Sequence, residues 1–203
     1  MGYYIRVLGI QDPDIHIDDL ISALKAEHLS AKFEHDINEQ PAKWTMLQIN
    51  SDDGEPLAKL ERNVVIDGEL GKEEMDEFRE EIKEALPESS AKWLAKYFDK
   101  VKVIYAFQML TASFEEGNFE IVSTVRETIW NKTGGILQSD NEGFSNEDGY
   151  HILWQFADDV SGEWNCAVRN WLGHWEKFTM DLGDPQQRQE FQHGKVPKHA
   201  TKL

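Results

Sequence analysis

Cysteine occurs once in 203 residues, at Cys166, so the chain can form no intrachain disulfide. That favours a reducing compartment. No apolar run approaches the roughly 20 residues that cross a bilayer. The opening Tyr3-Tyr4-Ile5 is cut by Arg6 and followed by Asp12 and Asp14, which is no signal-peptide core. The chain is therefore expected to be cytoplasmic and to have no membrane contact.

The common catalytic signatures are missing as well. No Gly-x-Ser-x-Gly surrounds Ser113, Ser123, Ser139, Ser145 or Ser161. No glycine-rich loop precedes a helix to cradle phosphate, since Gly134-Gly135 follows one. His16, His28, His35, His151, His174, His193 and His199 include no pair four residues apart, the spacing of a helical zinc site. No metal site and no cofactor are assigned.

Bases are scarce too: 21 Lys and Arg stand against 38 Asp and Glu, a formal charge of −17. Phosphate backbones repel such a chain, so nucleic acid is not an expected partner. The acids are spread through both halves of the sequence rather than confined to a tail. They give solubility, and they form a surface that attracts a basic protein.

What is present points to a folded α+β protein. The hydrophobic fraction of 40%, with seven Trp and ten Phe, is enough to bury a sizeable core. Tyr3 to Gly9 reads as a strand and a helix follows from near Ile17, with Leu20, Ile21, Leu24 and His28 on one face. Strands are expected over Ala31–Ile37, Trp44–Ile49 and Leu57–Val65. Met75, Phe78, Ile82, Ala85 and Leu86 form an apolar stripe over a helix from Lys72 to Leu86, which Pro87 ends. Ser89 or Ser90 is expected to cap the next helix, whose inner face is Trp93, Leu94, Tyr97 and Phe98.

Val101 to Leu110 is nearly continuous apolar sequence, the pattern of a strand buried on both faces. Asn118 is the expected N-cap of a helix that ends at Thr133, where Gly134 fits a left-handed position. A short strand, Ile136 to Gln138, precedes an acidic loop, Ser139 to Gly149. Three strands, Tyr150–Ala157, Glu163–Trp171 and Trp175–Leu182, complete a meander. Asp184 caps a last helix through Phe191, and Gly194 to Leu203 is expected to fray.

The order strand-helix-strand-strand-strand occurs twice. Leu47-Gln48-Ile49, Asp52-Asp53, Gly54-Glu55 and Arg62-Asn63 echo Trp154-Gln155-Phe156, Asp158-Asp159, Gly162-Glu163 and Arg169-Asn170. Two similar halves, 1–100 and 101–203, with mostly antiparallel sheet are expected from this.

Two functional readings follow. The first is an acidic interaction or regulatory protein without catalytic activity. Its partner surface is Glu73, Glu77, Glu80, Glu81 and Glu84, which leave the inner stripe of their helix. The second is a small enzyme or ligand-binding domain with a site where the acidic loop meets the following strand. Asp140, Glu142, Glu147, Asp148 and His151 supply polar groups there and Trp154 an aromatic wall. A loop carboxylate would orient His151 as a general base. The loop does not fit an EF-hand, because a start at Gln138 leaves no glutamate at the last position. Cys166 alternates with Trp164 and Val168 and reads as a buried, inert thiol, with Trp164 inside beside it and Trp171 and Trp175 flanking a turn.

Overall fold

A computed structural model describes residues 2–203. The fold is α+β with mostly antiparallel sheet. The chain separates into two compact units that alternate along the sequence. One holds residues 1–72 and 101–135, the other 73–100 and 136–203. Lys100, where two halves were expected to meet, is one of the three points at which the chain passes between units. The expected duplication gains no support from this division.

In the first unit, β1 (Tyr3–Gly9), α1 (Ile17–Ala26), β2 (Lys32–Glu34), β3 (Met46–Asn50) and β4 (Pro56–Val64) follow in order. The strand β5 (Val103–Met109) lies between β4 and β1 and pairs antiparallel with both. That position explains its unbroken apolar sequence: Val103, Ile104, Tyr105 and Phe107 are fully buried, with no solvent face to be polar. Trp44 is buried against Tyr105, ring centroids 5.7 Å apart, and its indole N–H donates to the Ile15 carbonyl at 3.0 Å.

β2 is shorter than the expected Ala31–Ile37. The Asp36 carboxylate accepts the Asn38 amide at 2.8 Å, which turns the chain and leaves Ile37 exposed. The helix α4 (Asn118–Thr133) ends as expected, but Gly117, at φ 83°, takes the N-cap position. Asn118 instead donates from its carboxamide to Ala112 O at 3.0 Å. Among the described residues no helix is long and apolar enough to cross a membrane.

The second unit begins with α2 (Leu70–Glu81, which starts in the first), a short 3-10 turn at Ile82–Glu84, and α3 (Glu88–Tyr97). The tighter turn rotates Leu86 off the expected stripe and it is half exposed. Neither Ser89 nor Ser90 caps α3: extended Pro87 precedes it, no side-chain cap forms, and Ser90 is buried inside the first turn. Further on, β6 (Gly135–Ser139) pairs with a two-residue strand, β7 (Gly143–Phe144), inside the expected loop. Phe144 is fully buried between Phe78, 5.4 Å away, and Phe98, 5.5 Å away.

The expected strand over Tyr150–Ala157 does not form. His151 makes isolated bridges to Ser145 and Cys166. After it each amide finds a different element: Ile152 bonds to Phe144, Trp154 to Leu86 and Gln155 to Glu142. Backbone groups are satisfied one at a time, so no ladder propagates.

A three-stranded sheet follows. It is built from β8 (Glu163–Arg169), β9 (Trp175–Asp181) and β10 (Thr201–Lys202), with β9 in the middle. The helix α5 (Pro185–Gln192) packs Phe191 onto one face of it, with Cys166, Val168, Phe178, Met180 and Leu182. Asp184 caps α5 as expected, accepting from the Gln186 and Gln187 amides at 2.8 and 3.3 Å. The segment expected to fray returns as β10 and is bonded through Leu203 N to Lys177 O at 3.1 Å.

Removing the Phe144 ring should test the centre of the second unit. Phe144→Ala leaves a cavity between two aromatic rings and is expected to cost about 3–5 kcal/mol. Urea denaturation measures this; a loss under about 1 kcal/mol would show that the ring is not a core element.

Candidate functional site

The acidic loop is held from inside by Asn146, which is fully buried. Its side-chain oxygen accepts the Asp148 amide at 3.0 Å and the Tyr150 amide at 2.9 Å. Its own amide donates to Tyr150 O at 2.8 Å, and its carbonyl accepts from Gly149 at 3.1 Å. The result is a closed turn of the kind asparagine makes with its following backbone. Ser145, next to it, accepts the Leu137 amide on its hydroxyl at 2.9 Å and donates to Asn146 O at 2.9 Å.

The turn sorts the candidate residues. Glu147 and Asp148 face solvent, while Asp140 and Glu142 are half-buried. Asp148 forms an ion pair with Lys177 at 2.8 Å, and the Lys177 ammonium lies 4.7 Å from the centre of the Tyr150 ring. Asp148 in turn holds the Lys177 pKa above its ordinary value, chiefly through this hydrogen bond. His151 goes the other way, into the interior at 6% exposure. Its ring lies 4.6 Å from Phe156 and 6.4 Å from Trp164.

No loop carboxylate orients the His151 ring, and Nε2 has no hydrogen-bond partner. Burial pushes its pKa down to about 4, opposed only in part by backbone groups of Leu153 and Glu142. The imidazole is therefore neutral at pH 7 and stands apart from the charges expected to activate it.

Trp154 is not an open wall. It packs on Phe156 at 5.2 Å and Phe191 at 6.3 Å, and the Arg188 guanidinium covers it 5.4 Å from the ring centre. Arg188 also donates to the carbonyls of Asp158, Val160 and Leu182, tying the 157–162 turn to α5. The sequence carries no signal for that role, because a lone arginine on a short helix reads as surface.

Cys166 is buried, and burial pushes its thiol pKa up to about 12, so it is unreactive at neutral pH. Trp164 shares its strand face but stands near the edge and is 37% exposed, less covered than expected. Tyr97 is a buried group the sequence did not single out for chemistry: its hydroxyl has no partner, and burial and then the Glu147 charge raise its pKa. Among the described residues no three His, Cys, Asp or Glu side chains gather to hold a metal ion.

Glu73, Glu77, Glu80 and Glu81 on α2, and Glu84 in the 3-10 turn after it, are all exposed, as expected from the stripe. Glu80 pairs with Lys83 at 2.5 Å and Glu81 accepts from the Gln155 carboxamide at 2.7 Å. Among the described residues, the Glu73, Glu77 and Glu84 side chains have no hydrogen-bond or ion-pair partner. Arg79 is drawn to the α3 side, donating to Ala95 O at 3.2 Å and Asp99 at 2.8 Å, so it does not offset the glutamates. Compared with known proteins, the chain matches no family model, no curated protein and no solved structure.

His151 makes stability depend on pH. Its folded pKa of about 4 lies below the ordinary 6.5, so between these values the unfolded chain binds more protons. Its neutral form costs nothing above about pH 6.5, and stability falls as pH drops through the window, by about 3 kcal/mol in full. Urea midpoints of wild type and His151→Gln should converge as pH falls from 7 to about 4.5. Parallel losses in the two proteins would show that His151 does not supply the dependence.

Proposed function

We propose that this chain is a non-catalytic interaction protein whose α2 surface recognises a basic protein partner. The observation that carries the reading is the exposed run of carboxylates, Glu73, Glu77, Glu80, Glu81 and Glu84, along α2 and the 3-10 turn after it. Glu73 and Glu77, and Glu77 and Glu81, stand four residues apart along α2, where like charges repel by about 0.2–0.5 kcal/mol per pair. Mixed charge would solubilise the same helix at lower cost. A basic partner turns the repulsion into attraction, and the chain's overall charge of −17 steers it in. The state of His151, neutral and without a carboxylate to orient it, favours this reading over a ligand site with general-base chemistry at the loop.

The test is affinity capture from the source cell with wild type and Glu77→Lys/Glu84→Lys. Neither glutamate has a partner to lose, so the fold should stay intact or gain slightly. The wild type is expected to retain a basic protein that is released as salt rises, and the double variant to lose it. Retention of the same proteins by both forms would leave α2 a solvated face only.

A further inference from the structure

His151 is the one histidine of seven that the fold buries; His16, His28, His174, His193 and His199 are exposed and His35 is half-buried. Its backbone is a joint. The N–H donates to Asn165 O at 2.9 Å and the carbonyl accepts from the Ala167 amide at 2.8 Å, both on β8. The next amide, Ile152, donates to Phe144 O on β7 at 2.9 Å. Through these two residues the β6–β7 hairpin, with the acidic turn after it, is fastened to the three-stranded sheet.

The ring of the same residue sits among aromatic groups. It lies 4.6 Å from Phe156 and 6.4 Å from Trp164, and those two rings are 5.4 Å apart. Nε2 is buried without a partner. Both nitrogens of an imidazolium are donors, so the charged ring would hold an N–H with no acceptor. No neighbouring charge compensates. Asp148 is paired with Lys177, and Glu147, Asp158, Asp159 and Glu163 face solvent. Arg169 and Arg188 are held over Trp175 and Trp154, and Cys166 is a neutral thiol. Glu142 and Leu153 act on the ring through their backbone, and burial outweighs them, lowering its pKa to about 4.

We propose that His151 is an acid-operated latch, whose protonation parts the acidic turn from β8 and uncovers Phe156 and Trp164. The fastening and the proton compete for one residue. An imidazolium is stable in water, and the ring reaches water when the 151–152 backbone leaves β8. Acid therefore favours the open form, which binds the proton more tightly. The bonds that Asn146 makes do not involve His151, so the turn stays closed as it moves away. The first unit has no buried histidine, so the same proton leaves it unchanged.

Hydrogen exchange of the full chain, read amide by amide from pH 7 to 4.5, tests this, each rate being referred to an unstructured peptide at the same pH. Protection of the His151, Ile152 and Ala167 amides is expected to fall at least ~30-fold, the gain set by one proton whose pKa returns on opening from about 4 to 6.5. The Tyr105 and Phe107 amides of β5 should change less than ~3-fold. Tryptophan emission should shift to the red as Trp164 is uncovered. His151→Phe keeps an aromatic ring without the titrating group and should abolish the response. In the wild type the His151 ring-proton NMR titration should have its midpoint well below 6.5, a readout that needs no variant. A ring midpoint near 6.5 overturns the proposal. So does an acid response that survives His151→Phe, or a loss of protection as large in β5 as at residue 151.

Discussion

The buried carboxamide of Asn146 is the constraint on which the second unit depends. Two amides converge on its oxygen, and the Asn146 backbone N–H and C=O close the same turn, while its side-chain Nδ2 has no partner. Each such bond contributes about 1 kcal/mol net, and an amide left unpaired in the interior costs about 1–3 kcal/mol. Because the turn is closed, Phe144 before it and His151 after it both point inward, while Glu147 and Asp148 point out. The Phe144 ring then meets Phe78 of α2 and Phe98 just beyond α3. The bridges of His151 to Ser145 and Cys166 join the turn to β8. A stretch that reads as solvated acidic sequence is thus a structural centre with charged residues on its outer side.

The same turn explains what was legible in the sequence. Periodicity is a reliable signal where one face of an element meets a single partner. Leu20 and Leu24 of α1, Met75 and Phe78 of α2, the two-sided burial of β5 and the Asp184 cap were readable for that reason, whereas His28, expected on the α1 stripe, lies beyond the helix at φ 59° and is exposed. It fails where backbone groups bond one at a time to different elements, as in 151–155, which is as apolar as a strand yet forms no ladder. It also fails for β10, whose Lys202 looks solvated but whose backbone completes an edge beside β9. Of the candidate site, the exposure of the α2 glutamates followed from spacing alone. The inward turn of His151 and the cover of Arg188 over Trp154 did not, because both depend on contacts distant in sequence.

Electrostatics and burial divide the chain's chemistry between them. Cys166 and His151 are both buried, and burial raises the Cys166 thiol to about 12 and lowers the His151 imidazole to about 4. The glutamates of α2 and the turn after it are at the surface, and among the described residues the side chains of Glu73, Glu77 and Glu84 have no partner.

The account stands or falls on whether the Asn146 turn is part of the core or a mobile acidic loop. Native-state hydrogen exchange of the Asp148 and Tyr150 amides measures that directly. Both are expected to exchange only through opening that costs most of the global unfolding free energy, as core amides do. Exchange at the rate of an unstructured peptide would mean that the turn opens freely, and the acidic loop would then be what it first resembles, a solvated segment.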